Sequence, residues 1–227
     1  MTTQPGQVPL FELDGVRYGD WVAYDRIVID GGRATFIMGD SGCGKSTLLR
    51  LLNATIPPSS GRIFYQGRNL EEWDTLDLRK QVSLVRQEAF LFDESVRGNV
   101  DRFYSFRELE PPPDETVHRF LEICCLDVPL DKDCTTMSGG ERQRVFTAIF
   151  LSLMPKVLLL DEPTSALDAA TSFRLMTNLK NFCGAGGIDM VVVSHNKEIV
   201  KACADETLVM ERRGDDERRC AVKHFSV

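Results

Sequence analysis

The feature that most constrains this 227-residue chain is the run Gly39-Asp40-Ser41-Gly42-Cys43-Gly44-Lys45-Ser46. It follows a compact apolar strand expected over Ala34–Met38 and opens a helix expected from about Gly44 to Asn53. Between a strand and a helix, such a loop curls so that several backbone N–H groups point inward. They converge at a helix N-terminus, where the dipole also favours anions. The GxxxxGK[ST] spacing supplies the rest of a polyphosphate site. Lys45 is a point charge for β- and γ-phosphates, and the Ser46 hydroxyl is a ligand for Mg²⁺. Thr47 is within reach of an α-phosphate. The expected cradle is Gly39, Ser41, Gly42, Cys43, Gly44, Lys45, Ser46 and Thr47. A chance glycine turn containing Lys-Ser is the alternative, and the flanking strand and helix count against it.

A second signal lies at Val157-Leu158-Leu159-Leu160-Asp161-Glu162. Four apolar residues read as a buried parallel strand, and the acids fall at its carboxyl end, where ligands sit in open α/β sheets. Asp161 is placed to hold Mg²⁺, in part through water, and Glu162 to polarise an attacking water as general base. An apolar strand running into a solvated acidic loop is the competing reading of this segment alone.

The remaining pattern is strand–helix alternation. Strands are expected at Leu10–Val16, Val22–Ile29, Arg62–Gln66 and Gln81–Arg86. From 93 to 136 the chain turns helical and loop-like, broken by Pro111-Pro112-Pro113. Val117, Phe120, Leu121 and Cys124 keep a helix period there. That stretch reads as an inserted helical lobe in one domain whose core is 1–92 and 137–227. Alternation resumes with helices Gly140–Leu153, Ala169–Phe182 and Lys197–Ala204, and strands Val157–Leu160, Met190–Val193 and Thr207–Met210. The charged run Glu211–Arg219 is expected to be a solvated turn. The fold class is α/β, with mostly parallel strands buried between helices.

Met137-Ser138-Gly139-Gly140-Glu141-Arg142-Gln143-Arg144, ahead of a helix and shortly before the acidic strand end, resembles the signature of the ATP-binding cassette (ABC) family. The motif order from Leu10 to about Met210 is similar to that family's. Tyr18 resembles its adenine-stacking aromatic, with Trp21 and Tyr24 as competitors. Gln87 resembles the Q-loop glutamine that reaches toward Mg²⁺ and the water. Ser165-Ala166-Leu167-Asp168 is similar to the D-loop, and His195 to the switch histidine at the γ-phosphate. The resemblance implies a P-loop NTPase core, an antiparallel β subdomain at the N-terminus and an inserted helical subdomain. It implies a hydrolase of ATP, with Glu162, His195, Gln87 and Lys45 catalytic and Ser46, Gln87 and Asp161 at Mg²⁺. It also implies a homodimer sandwiching two ATP. Ser138, Gly139 and Gly140 would then meet the γ-phosphate of the other subunit, with Asp168 nearby.

The chain departs from the family pattern at three places. Met137 stands for leucine, of similar volume. Glu141 stands for glutamine, changing the charge near the dimer interface. Asp40 adds a negative charge inside the phosphate loop. None removes Lys45, Ser46, Asp161, Glu162 or His195, so an active ATPase is expected.

Composition sets the outer bounds. A net charge of −7 and a pI of about 5.1 argue against a nucleic-acid partner. The longest apolar runs are strand length, far short of the roughly 20 residues that span a bilayer. Residues 1–10 lack the basic and apolar regions of a signal peptide. Seven cysteines, without CxxC spacing, read as reduced thiols in a cytosol rather than a zinc site. A single cassette without membrane spans resembles a transporter ATPase whose permease is a separate polypeptide, placing it peripherally on the cytoplasmic face of the cell membrane. The stretch Leu91–Val100 resembles exporters. Pro112-Pro113-Asp114 and the segment Met154–Asp161 resemble a bacterial subfamily associated with iron or metal export. A soluble, non-transport ABC ATPase, such as a metal-cluster assembly factor, is the other reading. For Cys43, a small residue that fits the loop competes with a reactive thiolate at a helix N-terminus.

Overall fold

The computed structural model describes residues 8–20, 22–213 and 216–226, with side chains placed as far as Glu211. The strands are β1 (Phe11–Tyr18), β2 (Val22–Ile29), β3 (Ala34–Gly39), β4 (Ser60–Tyr65), β5 (Arg68–Asn69), β6 (Val82–Val85), β7 (Val157–Asp161), β8 (Asp189–Val193), β9 (Glu206–Arg213) and β10 (Asp216–Ser226). The helices are α1 (Lys45–Leu52), α2 (Thr75–Gln81), α3 (Val96–Ser105), α4 (Asp114–Ile123), α5 (Gly139–Ser152), α6 (Ala169–Gly186) and α7 (Lys197–Cys203). All the strands hydrogen-bond into one sheet of order β5-β4-β1-β2-β10-β9-β3-β8-β7-β6.

The β9-β3-β8-β7-β6 portion is parallel, and β5-β4-β1-β2 is antiparallel. The difference follows from side-chain pattern. In β7 every residue is buried, as a strand covered by helices on both faces requires. Successive residues supply opposite faces. Phe36, Leu158, Leu160, Met190 and Val192 enter one core with residues of α3 to α7. Ile37, Leu159, Val191 and Val193 enter a second core with Leu48, Leu49 and Leu52 of α1 and Phe11, Leu13 and Ile27 of the antiparallel strands. β1 buries Phe11, Leu13 and Val16 and exposes Asp14, Gly15 and Arg17. That broken alternation coincides with a bulge in its pairing to β4 between Asp14 and Arg17.

The run 211–219 is not the solvated turn its charge suggests. β9 continues to Arg213 and β10 begins at Asp216. β10 pairs antiparallel with β9 and parallel with β2, at Arg219↔Ala23 and Cys220↔Tyr24, and so joins the two parts of the sheet. Backbone pairing overrides the polar composition there.

The stretch expected to be a helical lobe contains α3 and α4. Ser95 caps α3 by accepting from the Gly98 N–H, and α4 starts directly after the triple proline, with Pro113 at its N-cap. Its apolar face (Val117, Phe120, Leu121) packs into the core shared with α5 and α6. No helix among the described residues is long and apolar enough to cross a membrane.

Candidate active site

Parallel pairing brings the carboxyl ends of β3, β8, β7 and β6 to one sheet edge, and the phosphate loop leaves from β3. Gly39 adopts φ 147°, and a Cβ there would lie 2.3 Å from the Met210 carbonyl oxygen. Gly44 adopts φ 94°, and a Cβ there would lie 2.9 Å from the Tyr24 hydroxyl. Only glycine permits both the turn and these approaches. Tyr24 is 1% exposed, and its hydroxyl donates to the Gly44 carbonyl at 2.7 Å. It therefore buttresses the loop and cannot be an adenine platform. Tyr18 is half-buried at the end of β1, opposite Val22, whose methyls border Gly44. Trp21 lies outside the described residues.

The Lys45 side chain crosses the loop mouth. Its Nζ donates to the carbonyls of Gly39 at 2.8 Å and Asp40 at 2.7 Å, and the residue is only 5% exposed. Ser41 and Gly42 are exposed, whereas Thr47 is half-buried. Cys43 is 1% exposed, its sulfur 3.8 Å from Lys45 Nζ. The thiol faces inward and only its backbone lines the loop, which favours the small-residue reading over a reactive thiolate.

Ser46 and Asp161 meet. The Ser46 hydroxyl donates to Asp161 Oδ1 at 3.0 Å, joining residues far apart in sequence. Burial pushes the Asp161 carboxyl above the usual aspartate range; the Ser46 hydrogen bond opposes this and the neighbouring Glu162 adds to it. Glu162, the next residue, has a left-handed backbone at φ 50°, rare for a non-glycine residue. Its N–H donates to the Val193 carbonyl at 3.1 Å. Its Oε1 lies 3.0 Å from His195 Nε2, an ion pair when the imidazole is protonated. A cleft of about 330 Å³ opens beside them, lined by Glu162, Thr164, Ser165, Ser194, His195 and Asn196. Gln87 is exposed, two residues past β6.

The Ser138–Gly140 segment opens α5. Ser138 and Glu141 form a capping box: Ser138 Oγ accepts from the Glu141 N–H at 3.3 Å, and Glu141 Oε2 accepts from the Ser138 N–H at 2.9 Å. Two hydrogen bonds from Ser138, backbone first, and one from Lys132 hold the Glu141 carboxyl far down, at about 2. The acid that departs from the family pattern is thus fully engaged within its own chain. Gly139 and Ser138 are exposed, and Gly140 packs on the Ala166 carbonyl and Leu167 of the D-loop-like segment. Asp168 caps α6 by accepting from the Thr171 N–H at 2.9 Å. Among the described residues no hydrogen bond or ion pair links Ser138, Gly139, Gly140 or Asp168 to Lys45, Asp161, Glu162 or His195, although Leu167 lines the same cleft as Glu162 and His195.

Two residues of the signature stretch have structural roles that its spacing did not disclose. Gln143 Nε2 donates to the Arg86 carbonyl at 2.8 Å, fixing the strand end that presents Gln87. Arg142 donates to the carbonyls of Cys134 at 2.6 Å and Leu91 at 3.3 Å. The ERQR tail was the available signal, but it does not name the partners.

Comparison with known proteins agrees with this geometry. Residues 26–165 match the family described as ABC transporter. The chain is 34% identical over 208 residues to the probable iron export ATP-binding protein FetA of Escherichia coli K12, covering 89% of this chain and 92% of that one. It is 35% identical over 189 residues to the methionine import ATP-binding protein MetN of Pasteurella multocida, covering 80% of this chain and 54% of that one. Among solved structures, cbiO1 from Clostridium perfringens, part of the ABC transporter complex cbiONQ, superposes with a TM-score of 0.79 at 28% identity. That match covers 97% of this chain and 89% of that one. The chain belongs to the ABC transporter family and is an ATP-hydrolysing, ATP-binding subunit of it.

Proposed function

We propose that two copies of the chain close head to tail around two ATP and drive a separately encoded membrane permease, with metal export as the work done. One observation carries the dimer. The N-terminus of α5 presents exposed Ser138 and Gly139, and a Cβ on Gly139 would meet nothing within 4 Å in its own chain. A helix N-terminus with inward-curling amides is suited to phosphate, and a second copy brings one to it. The reading accounts for a complete hydrolytic group at the sheet edge and an unused phosphate donor elsewhere on the same chain.

In this reading the loop amides and Lys45 hold the β- and γ-phosphates, and Tyr18 supports adenine. Glu162 accepts the proton of the attacking water. His195, whose Nε2 lies 3.0 Å from Glu162 Oε1, orients that carboxylate and contacts the γ-phosphate, while Gln87 helps to position the water. Ser138, Gly139 and Gly140 complete the site from the other copy. Ser46 Oγ and Asp161 Oδ1, 3.0 Å apart beside the loop, are hard oxygen donors of the kind Mg²⁺ takes. They fit the ion, which when bound neutralises charge on the phosphate oxygens.

The permease contact is assigned to a groove of about 500 Å³ that includes Leu76, Arg79, Arg86, Phe103, Phe106 and Arg107. Phe106 and nearby Phe90 are large apolar side chains more than half exposed. An apolar patch of this kind marks an interaction surface. Through it the chain would sit on the cytoplasmic side of the membrane. Export of iron or another metal is supported by the resemblance of the segment 91–100 to exporters and by the similarity to FetA, a probable iron export ATP-binding protein. The MetN similarity points the other way, to import. The test is ATP hydrolysis by the purified ATPase–permease complex in liposomes. Stimulation by ferrous iron supports the reading; stimulation by methionine or other unrelated solutes, and never by a metal, refutes the substrate class. Membrane association that survives Phe106→Asp would refute the groove.

A further inference from the structure

We infer that Lys132 and Glu141 are a positioning pair that sets the charge an incoming γ-phosphate meets at Ser138. This rests on the reading of Ser138 as a donor to the ATP of the other copy. The Ser138 hydroxyl donates to Glu141 Oε2 at 2.8 Å, and Lys132 Nζ lies 3.1 Å from the other carboxylate oxygen. The proton that a phosphate would take from Ser138 is thus directed at an anion. A phosphate oxygen within hydrogen-bond distance of Ser138 Oγ would compete with that carboxylate for the one hydroxyl proton and would lie about 5 Å from it. At that separation like charges repel appreciably beside a protein surface. Lys132 supplies the compensating charge.

The capping box does not explain the lysine. Either Glu or Gln at the third helical position completes such a box, and neither needs a cation. Lys132 is instead held in place by the backbone. Its carbonyl accepts from the Val96 N–H at 3.0 Å, the Leu130 carbonyl from the Arg97 N–H at 2.8 Å, and the Glu94 carbonyl from the Cys134 N–H at 3.0 Å. Ser95 and Asp133 form a β-bridge between the same segments. The compensating charge is therefore anchored to the start of α3, in the stretch that follows Gln87. Both side chains are about 30% exposed, 31% for Lys132 and 27% for Glu141, so solvent screens the pair only in part.

The test uses the full chain with Glu162→Gln to suppress turnover, and measures the ATP-Mg²⁺-dependent dimer dissociation constant by sedimentation velocity. Glu141→Gln keeps the box, leaves Lys132 in net excess, and is expected to tighten the dimer. Lys132→Met leaves Glu141 uncompensated and is expected to weaken it. Each change is about threefold per site, hence about tenfold for a dimer with two sites. The double variant returns close to the parent. In the hydrolysing chain the same shifts appear in KM for ATP, with kcat within about twofold. The single-variant shifts shrink at high salt. Losing the ion pair lowers the nucleotide-free melting temperature in both single variants, by about 2–4 °C at most, so a merely structural role would not predict that Glu141→Gln tightens the dimer while Lys132→Met weakens it. Lys132→Met with parental dimer affinity overturns the proposal. Ser138→Ala distinguishes the two levels. If it weakens the dimer while the Lys132 and Glu141 variants do not move it, only the charge pair is refuted. If Ser138→Ala dimerises like the parent, or the parent stays monomeric in ATP-Mg²⁺, the reading of Ser138 falls and takes the pair with it.

Discussion

Replacing Gly139 by alanine adds one methyl group at the first position of α5. Within its own chain that methyl meets no heavy atom within 4 Å, so nothing is strained. Alanine is favoured over glycine in a helix interior by up to about 1 kcal/mol, and a first-turn position keeps roughly half of that. For a domain of this size, about 0.5 kcal/mol raises the melting temperature by about 1–2 °C. In the closed dimer the same methyl stands beside an amide meant to approach a phosphate oxygen at about 2.9 Å. A carbon cannot come that close, so the donor is displaced. Losing one preorganised donor of this type lowers turnover by about 10²–10³-fold. Gly140→Ala is the contrast: its Cβ would lie 3.1 Å from both the Ala166 carbonyl oxygen and Leu167 Cδ2, so it disturbs the isolated chain as well. The assays are scanning fluorimetry without nucleotide and steady-state phosphate release. Gly139→Ala should separate the two readouts, stable but inactive, whereas Gly140→Ala lowers both. Wild-type turnover by Gly139→Ala would refute the argument that this amide is met by a second copy.

His195→Ala removes the 3.0 Å contact to Glu162; turnover should fall about 10²-fold, while a fluorescent ATP analogue still binds. Tyr24→Phe deletes the hydrogen bond to the Gly44 carbonyl. It should cost about 1 kcal/mol, lower the melting temperature by about 2–4 °C and raise KM for ATP. The Glu141 carboxyl, held at about 2 by its bonds to Ser138 and Lys132, has a folded pKa below its unfolded value of about 4.3. Its stabilisation is therefore present above that unfolded value and lost as pH falls through about 2. After solvent screening it amounts to about 1 kcal/mol. Melting curves from pH 5 to 2 should show this loss in the parent and a shallower one in Glu141→Gln.

What was legible in the sequence follows from where the physics is local. The parallel strands announced themselves because a doubly covered strand must be apolar throughout, and 157–160 is so. The phosphate loop was legible because its glycines and Lys-Ser pair act through the backbone that carries them. α2 was missed: it is seven residues long, buries only Leu78, and rests on its Asp74 cap, too little for a visible period. The edge between β9 and β10 was misread because residues 211–219 are charged and the strands there are held by main-chain pairing. At the site, Asp161 and Glu162 are legible from the apolar strand that ends in them and His195 from motif order, but the Glu162–His195 contact and the left-handed backbone at Glu162 come from tertiary structure. Lys132, Gln143 and Tyr24 act through long-range hydrogen bonds that no spacing encodes.

The most direct test of a site shared between two copies is sizing of the Glu162→Gln chain with ATP-Mg²⁺, with ATP and a chelator, and with a second substitution, Ser138→Arg. A shared site predicts a dimer only with ATP-Mg²⁺, abolished by Ser138→Arg although that chain still binds nucleotide. A Glu162→Gln chain that binds ATP-Mg²⁺ and remains a monomer, or a dimer indifferent to Ser138→Arg, would contradict it.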